Sequence, residues 1–400
     1  MQSTRALPAD PIESPAWRGA LLAAGLAAAV AAVLFLVSGL AVALLPWSGQ
    51  PHVFPPFTGH RLVEGWAQWD SGWYFRIARD GYSYVDGQQS TVVFFPVYPL
   101  LMRATAGVVG STYLAGILVT AGAGVASAAL FFTWVRDRLS PGAAKAALLL
   151  FVLYPYAFFM FGAVYADAVF ILAVLGAFVL LEHDHPWLAG LVGAVATACR
   201  PMGAVLVIGL AVRAWERRRE PADGTGTAPD PAGWRWRWRD AGVLVSVGGL
   251  AAFSLYLWSR FGDPLAFLTG QKAWDQQAGL HTWLKIQFFK DVTNFSSPLS
   301  WLTFVAHPIL TFAGLALVPR IFRRFGKGYG IYVLLLIGLS ALSTKNFFGM
   351  SRYLMAAFPC FAVAGELVAD RPALRTTATV ASALGLVALT AAFSRGYYLS

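Results

Sequence analysis

The chain has 400 residues, of which 58% are hydrophobic and 12% are charged, and its formal net charge is +10. Apolar runs at this density exceed what the core of a soluble protein needs and exclude an ordinary soluble domain. The positive charge does not indicate nucleic-acid binding, because the arginines are spread over short segments between apolar runs. Only Cys199 and Cys360 are present, which excludes a disulfide framework and a cysteine-based metal site.

Apolar runs of the roughly 20 residues needed to cross a bilayer recur along the chain. The first run lacks a small-residue cleavage site followed by soluble sequence, so we expect it to be retained rather than removed as a signal peptide. The sequence therefore predicts an all-α polytopic membrane protein that forms a single domain over residues 1–400. The predicted spans are 21–45, 111–134, 143–162, 165–181, 187–214, 241–259, 299–319, 329–345, 353–369 and 373–393.

The run 187–214 decides the predicted topology. Lys and Arg collect on the cytoplasmic side of membrane proteins, but one crossing at 187–214 would place the strongly basic loop 214–240 outside. Pro201 removes a backbone donor and disfavours helix at Arg200, so two half-spans broken at this point resolve the conflict. A single crossing is the alternative. With the break, about eleven crossings result and the N-terminus lies in the cytoplasm.

Two polar runs fall on the predicted cytoplasmic side. Trp and Arg alternate in WRWRWR, from Trp234 to Arg239, and suit anionic lipid headgroups, so we expect membrane anchoring there. The run EHDH, from Glu182 to His185, contains residue types that bind metals. It falls in a tight turn away from the other polar segments, so we expect a solvated turn and assign neither run to a site.

Five polar segments fall together on the opposite, extracytoplasmic face in this topology. A transporter more often places its polar residues near the bilayer midplane and has related halves, and no internal repeat is visible. The segments are a first outer loop at 46–110, the turn Tyr165–Asp167, the break at Arg200, a second outer loop at 260–298 and the loop Lys345–Arg352. Their convergence indicates a functional site outside the cell membrane.

The residues of these segments resemble a known family. The first loop contains WD (Trp69–Asp70), IA (Ile77–Ala78), GY (Gly81–Tyr82) and FFPVYP (Phe94–Pro99). This pattern resembles PIG-V-type mannosyltransferases, which are integral-membrane glycosyltransferases of the GT-C class. Motifs similar to those of bacterial members follow: ACRPMGA around Arg200, GDPLAF from Gly262 with Gln271 and Trp274 after it, and SRY from Ser351. The preference for Arg over Lys also suggests a bacterial genome.

The resemblance implies a GT-C-type fold in which short amphipathic helices of the first outer loop cover a cavity. It implies transfer of mannose from a polyprenyl-phosphate-mannose donor to an acceptor hydroxyl outside the membrane. The expected partners are this donor lipid, membrane lipids and an unidentified glycan, glycolipid or protein acceptor, without nucleic acid. No cofactor is expected. No metal is expected either, because the chain lacks DxD and a lipid monophosphate carries less charge than a diphosphate.

Asp70 is the predicted general base. Transfer from a phosphate requires a group that takes the acceptor proton, and cations and aromatics around it. Asp70 lies between Trp69 and Trp73, and partial desolvation there would raise its basicity. Alternatively, Asp70 caps a short helix that starts with SGWYF. Asp80 and Asp86 of the same loop can replace it or orient the acceptor, but we expect them to be solvated.

Arg200, Arg352 and Lys345 are the predicted ligands of the donor phosphate. Placing an arginine within an apolar membrane segment costs free energy, which suggests that Arg200 has a function. The break at Pro201 also frees backbone groups to line a polar pocket. Lys345 and Arg352 flank a short loop and would complete the cationic grip, with arginine offering bidentate geometry. The alternatives are that Arg200 snorkels to the interface and that Lys345 and Arg352 are interfacial anchors.

Further substrate contacts come from aromatic and polar residues, in part through the resemblance. Asp167 resembles an acidic residue that family members often carry, and we expect it to pair with Arg200 or to be the N-cap of a helix. In the second outer loop Gln271 and Trp274 are expected to contact the acceptor, and Asp263 and His281 to be solvated. The predicted substrate-binding residues are Trp69, Trp73, Tyr82, Asp167, Gln271 and Trp274.

Other functions are compatible with many spans and buried arginines. A lipid-linked saccharide transporter or flippase would explain Arg200 but not the acidic loop around Asp70. A non-catalytic relative that organises partners is a third possibility, which the intact motif disfavours. For the enzyme, single displacement on a β-linked donor would invert the anomeric centre and give an α-mannoside.

Overall fold

The structure, a computed structural model, describes residues 16–50, 57–218, 238–274, 279–295 and 297–399. Its regular secondary structure is helical throughout these ranges. In chain order the α-helices are α1 (Ala16–Leu44), α2 (Arg61–Glu64), α3 (Ser71–Asp80), α4 (Val97–Val109), α5 (Thr112–Arg136), α6 (Pro141–Val152), α7 (Phe158–Phe161), α8 (Asp167–Glu182), α9 (Pro186–Thr197), α10 (Ala204–Arg217), α11 (Gly248–Phe261), α12 (Ala266–Thr269), α13 (Leu280–Trp283), α14 (Ile286–Asp291), α15 (Pro298–Phe325), α16 (Lys327–Ser343), α17 (Met350–Tyr353), α18 (Pro359–Ala369) and α19 (Pro372–Ser394). Shorter 3₁₀ segments occur at Thr91–Val93, Pro201–Gly203, Trp238–Val247, Gly270–Trp274 and Leu354–Ala356.

Five helical segments of the described residues are long and apolar enough to cross a membrane. They are Trp17–Leu44, Thr112–Arg136, Trp238–Phe261, Pro298–Phe325 and Pro372–Ser394. At a rise of about 1.5 Å per residue, each covers the roughly 30 Å hydrocarbon layer. The predicted all-α polytopic membrane architecture is confirmed, whereas the number of eleven crossings stays a prediction. Most of the predicted basic loop 214–240, with Trp234–Arg237 of its Trp–Arg run, lies outside the described residues.

The first loop contains short helices, as predicted. Between the long helices α1 and α5 the chain forms α2, α3 and α4. Helix α3 buries Trp73, Tyr74 and Ile77 and exposes Arg76 and Arg79. This amphipathic pattern packs α3 against the core and leaves its charged side open.

Two predicted spans are interrupted. The helix predicted at 143–162 ends at Val152, since Pro155 follows, and resumes only as the single turn α7. The span predicted at 353–369 is bent by 85° between the helical stretches Met350–Ala356 and Pro359–Ala369. Proline disfavours helix at the residue before it and starts a new helix readily. Hydropathy alone does not reveal such a bend, which places α17 across the direction of α18.

The predicted break at Arg200–Pro201 is present. Helix α9 ends at Thr197, Arg200 is extended (φ −156°, ψ 149°), and α10 starts at Ala204. Arg200 contacts Asp167 at the start of α8, whereas Arg213 of α10 contacts Glu182 at the end of α8. Because α9 starts next to Glu182 in the chain, α9 and α10 run in opposite directions beside α8. The residues 187–214 therefore form two antiparallel helices: α9 begins and α10 ends beside the Glu182 end of α8.

Close backbone packing holds α9 in place. A Cβ atom at Gly190 would lie 2.0 Å from the carbonyl oxygen of Gly242, and one at Gly249 would lie 1.9 Å from that of Ala194. Small residues permit this approach between membrane helices. The contact fixes the helix that leads to Arg200 against the segment Trp238–Phe261.

Glu182 is the centre of an ion network at the far end of α8. Arg213 Nε donates to its carboxylate at 2.7 Å and the Tyr329 hydroxyl donates at 2.9 Å. Arg138 and Arg217 lie at 3.5 and 3.7 Å from the same carboxylate. The interpretation of the EHDH run as a solvated turn is therefore wrong for Glu182, whose side chain is only 12% exposed. The three residues that follow it are exposed.

Replacing Glu182 with glutamine should destabilise the protein by about 3 kcal/mol, because the buried guanidinium of Arg213 would lose the nearer of its two carboxylate partners and keep only Glu216, at 3.8 Å. Thermal unfolding of the purified protein in detergent would show a lower midpoint. The matched control is Asp80→Asn, which removes an exposed ion pair with Arg79 and should leave the midpoint unchanged. Equal midpoints for Glu182→Gln and the native protein would contradict the structural role of this network.

Candidate active site

Four charged side chains meet at the start of α8. Arg200 Nη2 donates to Asp167 Oδ2 at 2.7 Å, so the predicted pairing of these residues is confirmed. Arg352 Nε lies 3.8 Å from Asp167 Oδ1, and Arg352 Nη1 lies 3.7 Å from Asp70 Oδ2. The two carboxylates and two guanidinium groups balance in charge. We call Asp70, Asp167, Arg200 and Arg352 the charged cluster.

Asp70 is held by an unusual backbone conformation. Trp69, just before it, has φ +54°, a left-handed conformation that costs about 1–3 kcal/mol in a residue other than glycine. Two bonds secure this turn: the Asp70 N–H donates to the Tyr165 hydroxyl at 3.2 Å, and Trp69 Nε1 donates to the Tyr397 carbonyl at 3.2 Å. The turn directs the Asp70 carboxylate toward the cluster.

The alternative that Asp70 is a helix cap is not supported. Asp70 occupies the position before α3, but in the described structure its side chain makes no capping hydrogen bond. The carboxylate faces Arg352 instead and is 26% exposed. It is therefore the more exposed carboxylate of the cluster, since the Asp167 side chain is only 3% exposed.

Burial and nearby charges act against each other on Asp70. Desolvation raises the pKa of its carboxyl above the ordinary 3.8, and the charge of Asp167 adds to this rise. Arg352 and Arg200 lower the pKa, and the net direction is upward. A raised pKa makes Asp70 a stronger proton acceptor than an exposed aspartate.

Arg352 is buried with donors to spare. Its side chain is 7% exposed, and Nε and Nη1 have no hydrogen-bond partner among the residues that the structure describes. The contacts to Asp70 and Asp167 are too long for hydrogen bonds. The guanidinium lies over the rings of Phe159, Tyr165 and Tyr353, at 5.1, 5.0 and 5.2 Å from their centroids. Unused donors on a buried cation favour an anionic ligand.

Short helix α17 is fixed at the residues just before Arg352. The preceding Gly349 has φ +82°, which favours glycine. The Tyr154 hydroxyl donates to the Ser351 carbonyl at 3.0 Å, and the Ser351 N–H donates to His307 Nδ1 at 3.3 Å. These bonds hold Arg352 between the two carboxylates.

Arg200 does not snorkel outward. Its side chain is 13% exposed, bonds Asp167 and lies 5.2 Å from the ring centroid of Tyr353. The extended backbone before Pro201 directs it inward. Lys345, by contrast, lies in the loop between α16 and α17, half-buried beside Asn346. Its assignment to the donor phosphate stays a prediction.

An aromatic group lines the approach beside α3. Trp73 stacks on Phe94, with centroids 5.8 Å apart, and meets Trp274 edge-on at 5.3 Å. Trp274 Nε1 is buried without a hydrogen-bond partner in the described chain. Gln271 is half-buried in the same 3₁₀ segment. The second predicted loop thus meets the first, and the substrate roles of these residues stay predictions.

Tyr82 and Trp69 occupy other parts of the first loop. The Tyr82 hydroxyl donates to the Phe94 carbonyl at 2.8 Å, and its ring packs on Phe253 and Tyr256. These contacts connect α11 to the first loop. Trp69 meets Tyr398 edge-on at 4.9 Å. Their predicted roles in substrate binding stay predictions too.

The remaining acidic candidates are peripheral to the cluster. Asp80 pairs with Arg79 on the exposed side of α3, and Asp86 is exposed, as predicted. Asp263 accepts bonds from the Leu265 N–H and the Thr269 hydroxyl, which closes a turn. His281 is exposed. Within the described residues, no group of three or more His, Cys, Asp and Glu side chains is placed to hold a metal ion.

Comparison with protein families identifies part of this arrangement. Residues 49–215 match the family model described as Mannosyltransferase (PIG-V). Over these residues the chain is similar to the PIG-V mannosyltransferases. The proteins that this model describes are glycosyltransferases. The matched region contains Asp70, Asp167 and Arg200, whereas Arg352 and Trp274 lie beyond it.

Solved structures of an archaeal enzyme are similar over most of the chain. The oligosaccharyltransferase of Archaeoglobus fulgidus in its apo form has a TM-score of 0.45 and 14% identity, covering 92% of this chain and 56% of that one. The same enzyme with Zn and sulfate has a TM-score of 0.43, 14% identity and coverages of 92% and 53%. The enzyme, named AglB, with an inhibitory peptide and a dolichol-phosphate has values of 0.41, 13%, 92% and 55%. The chain thus spans about half the length of these structures. No curated protein matches it.

Sequence reasoning missed several neighbours of the charged cluster. Tyr165 and Tyr353 flank Arg352, and both stand within the segments that were singled out, two residues before Asp167 and in the SRY motif. Tyr398 packs on Trp69 and Phe348, and nothing in the sequence signals that the C-terminal residues return to this site. His307, in a predicted span, is fully buried and contacts the backbone of Ser351.

Proposed function

We propose that the chain transfers mannose from a polyprenyl-phosphate-mannose donor to an acceptor hydroxyl on the extracytoplasmic face of the cell membrane, as a GT-C-type enzyme. The observation that carries this proposal is the juxtaposition of Asp70, a partly exposed carboxylate with a raised pKa, and Arg352, a buried cation with unused donors. The family match over residues 49–215 supports mannose as the sugar. A proton acceptor beside an anion-binding group is what glycosyl transfer from a phosphate requires.

The reaction is a single displacement. The Asp70 carboxylate takes the proton of the acceptor hydroxyl as its oxygen attacks the anomeric carbon, and the bond from this carbon to the phosphate oxygen breaks. The electron pair of that bond leaves with the polyprenyl phosphate. A β-linked donor gives an α-mannoside, and no covalent sugar intermediate forms. A stable mannosyl-enzyme would contradict this mechanism.

Arg352 and Arg200 hold the leaving phosphate. Arg352 offers Nε and Nη1, and planar guanidinium groups bind phosphate oxygens in pairs. Asp167 is a positioning residue, because it bonds Arg200 and lies against Arg352 on its other side. Lys345 adds a third cation in this proposal. Arginine and lysine donors contact the phosphate oxygens directly in this mechanism, and no metal ion is part of the proposal.

The aromatic groups of both loops bind the sugar and the acceptor. Trp73 and Trp274 meet edge-on where the two loops join, and the buried Nε1 of Trp274 is available to a hydroxyl group. Trp69, Tyr82 and Gln271 extend this surface. Aromatic rings suit the apolar faces of sugars and the isoprenoid chain while their polar atoms fix orientation.

Reconstituted protein provides the direct test. The purified chain in phosphatidylcholine vesicles would receive polyprenyl-phosphate-mannose labelled in the sugar, together with an extract of membrane lipids and glycans as acceptors. We expect labelled product with an α-linkage and unlabelled polyprenyl phosphate. Movement of the intact labelled donor across the bilayer without transfer would overturn the enzyme and establish the flippase.

As the pH is lowered, mannose transfer should be lost at a higher pH than it would be if the base had the pKa of an ordinary carboxyl group. A base acts only when it is deprotonated, and burial raises the pKa of Asp70. As the pH falls through this raised pKa, Asp70 becomes protonated and kcat/KM declines. A pH profile of mannose transfer measures the midpoint. A decline only near or below pH 3.8, the ordinary value, would contradict a desolvated base.

A further inference from the structure

The segment 279–295, which contains α13 and α14, is apolar on its outside. We call it the 279–295 hairpin. Leu280, Leu284 and Phe289 are 69%, 63% and 69% exposed, and Trp283 is 51% exposed. Large apolar side chains grouped on a protruding segment mark a surface that contacts something other than water.

Two charged side chains in the middle of the hairpin face the rest of the protein, whereas His281, Lys290 and Asn294 near its ends are exposed. Lys285 is 7% exposed, and its ammonium group donates to the carbonyls of Ala341 and Thr344 at the end of α16. Cations are favourable at helix C-termini. Asp291 accepts a bond from Asn346 Nδ2 at 3.2 Å. A solvated loop would expose its charges and bury its leucines, so the polarity here is reversed.

The apolar surface continues onto a membrane-spanning helix. Helix α15 begins at Pro298, directly after the hairpin, and exposes Trp301 and Leu302 near its start, at 46% and 60%. This helix is among the five long apolar segments. The hairpin is therefore connected to a surface that acyl chains cover, and its own exposed side chains have the same character.

We infer that the 279–295 hairpin lies in the membrane interface, with its apolar face among the lipid acyl chains. Short amphipathic helices bind membranes in this way, with Trp at the headgroup level. Lys290 and Asn294 are exposed at the end of the hairpin, where headgroups and water accommodate them. The lipid contact concerns the apolar side chains of this part of the second outer loop, and His281, which the sequence predicts to be solvated, is exposed.

This placement brings the bilayer close to the charged cluster. The hairpin is bonded to Thr344 and Asn346, and the chain runs from there through Gly349 into α17 and Arg352. The lipid contact itself does not depend on which sugar or acceptor the site uses. Its test is therefore separate from any assay of transfer.

Site-specific fluorescence in vesicles tests the inference. The full chain with Leu284→Cys would carry a nitrobenzoxadiazole label, and Asn294→Cys is the matched control in the same hairpin. Native Cys199 and Cys360 are buried and should label poorly, which the unsubstituted protein verifies. In phosphatidylcholine vesicles we expect blue-shifted emission at position 284 and several-fold stronger quenching by lipids with spin-labelled acyl chains than at 294. Aqueous iodide should show the reverse preference.

Two results would overturn the lipid contact. Equal iodide quenching at both positions would mean that the hairpin projects into water. The label at position 284 could instead lose its iodide quenching only at high protein density, with no quenching by spin-labelled lipids. That result would mean that a second copy of the chain covers the surface. If Leu284→Cys does not fold, Phe289→Cys serves in its place with the same control.

Discussion

Replacement of Asp70 by asparagine should reduce mannose transfer by about 10²–10⁴-fold, the contribution that a positioned general base makes. The amide matches the carboxylate in size but cannot accept the proton of the acceptor hydroxyl. The backbone bonds that set the turn, from Asp70 N–H to Tyr165 and from Trp69 to Tyr397, do not involve the side chain. The fold and the aromatic surface should therefore be retained.

Binding of the donor lipid should survive this substitution. Arg352 loses one of two neighbouring carboxylates but keeps Asp167, so its attraction for phosphate is maintained or increased. Turnover and donor binding, measured on the same vesicles, separate the two effects. The control is Asp80→Asn in the same loop, exposed and paired with Arg79, which should transfer mannose at the native rate. Equal rates for Asp70→Asn and the native protein would be consistent with a mannosyltransferase but would show that Asp70 is not its general base.

Much of the charged cluster could be predicted from the sequence because a charged side chain in an apolar segment carries a large free-energy cost. Arg200 in an apolar run beside proline, and Asp167 at the start of another apolar run, stand out against a background with few charges. Their pairing was expected and is present. The position of Arg352 between Asp167 and Asp70 was not expected, since it depends on how distant segments pack and not on local pattern.

The bend before α18 shows a second limit of sequence reasoning. Pro201 was interpreted as a break because the positive charges of the next loop required one. Pro359 lies six residues after the SRY motif, and the chain bends by 85° just before it. The distribution of positive charges does not require a break at this proline, so the sequence does not indicate one. A hydropathy window averages over such a bend, so the predicted span 353–369 joins the residues 353–356 before the bend to α18.

The loop 260–298 shows a third limit. Its sequence alternates polar and apolar residues without a clear period, so the expectation that its polar residues, such as Asp263 and His281, are solvated follows from the length of the loop alone. In the structure Lys285 turns inward to cap α16 and its neighbour Leu284 turns outward. Which side of a short helix is buried is decided by its partner, here the end of α16, and the sequence does not name that partner.

Replacement of Arg352 by glutamine should reduce transfer by about 10²–10³-fold, as expected when a donor that stabilises developing charge is lost. The leaving phosphate would keep Arg200 but lose the guanidinium whose Nε and Nη1 are unused in the described structure. Donor binding should weaken as well. Arg352→Lys keeps the charge without the planar pair of donors, so its activity should fall between glutamine and the native residue. Arg79→Gln, on the exposed face of α3, is the control and should leave both properties unchanged.

The pH profile decides whether Arg352 acts on the chemistry or only on the packing. Its charge lowers the pKa of Asp70 against the effect of burial. Without that charge the pKa of Asp70 rises further, so the acidic limb of kcat/KM in Arg352→Gln should move to higher pH, whereas Arg352→Lys should largely restore its position. A purely structural arginine would lower the amount of folded, active protein and leave the limb where it is. An unshifted limb together with native donor affinity would therefore refute the assignment of Arg352 to the leaving phosphate, even if the rate fell.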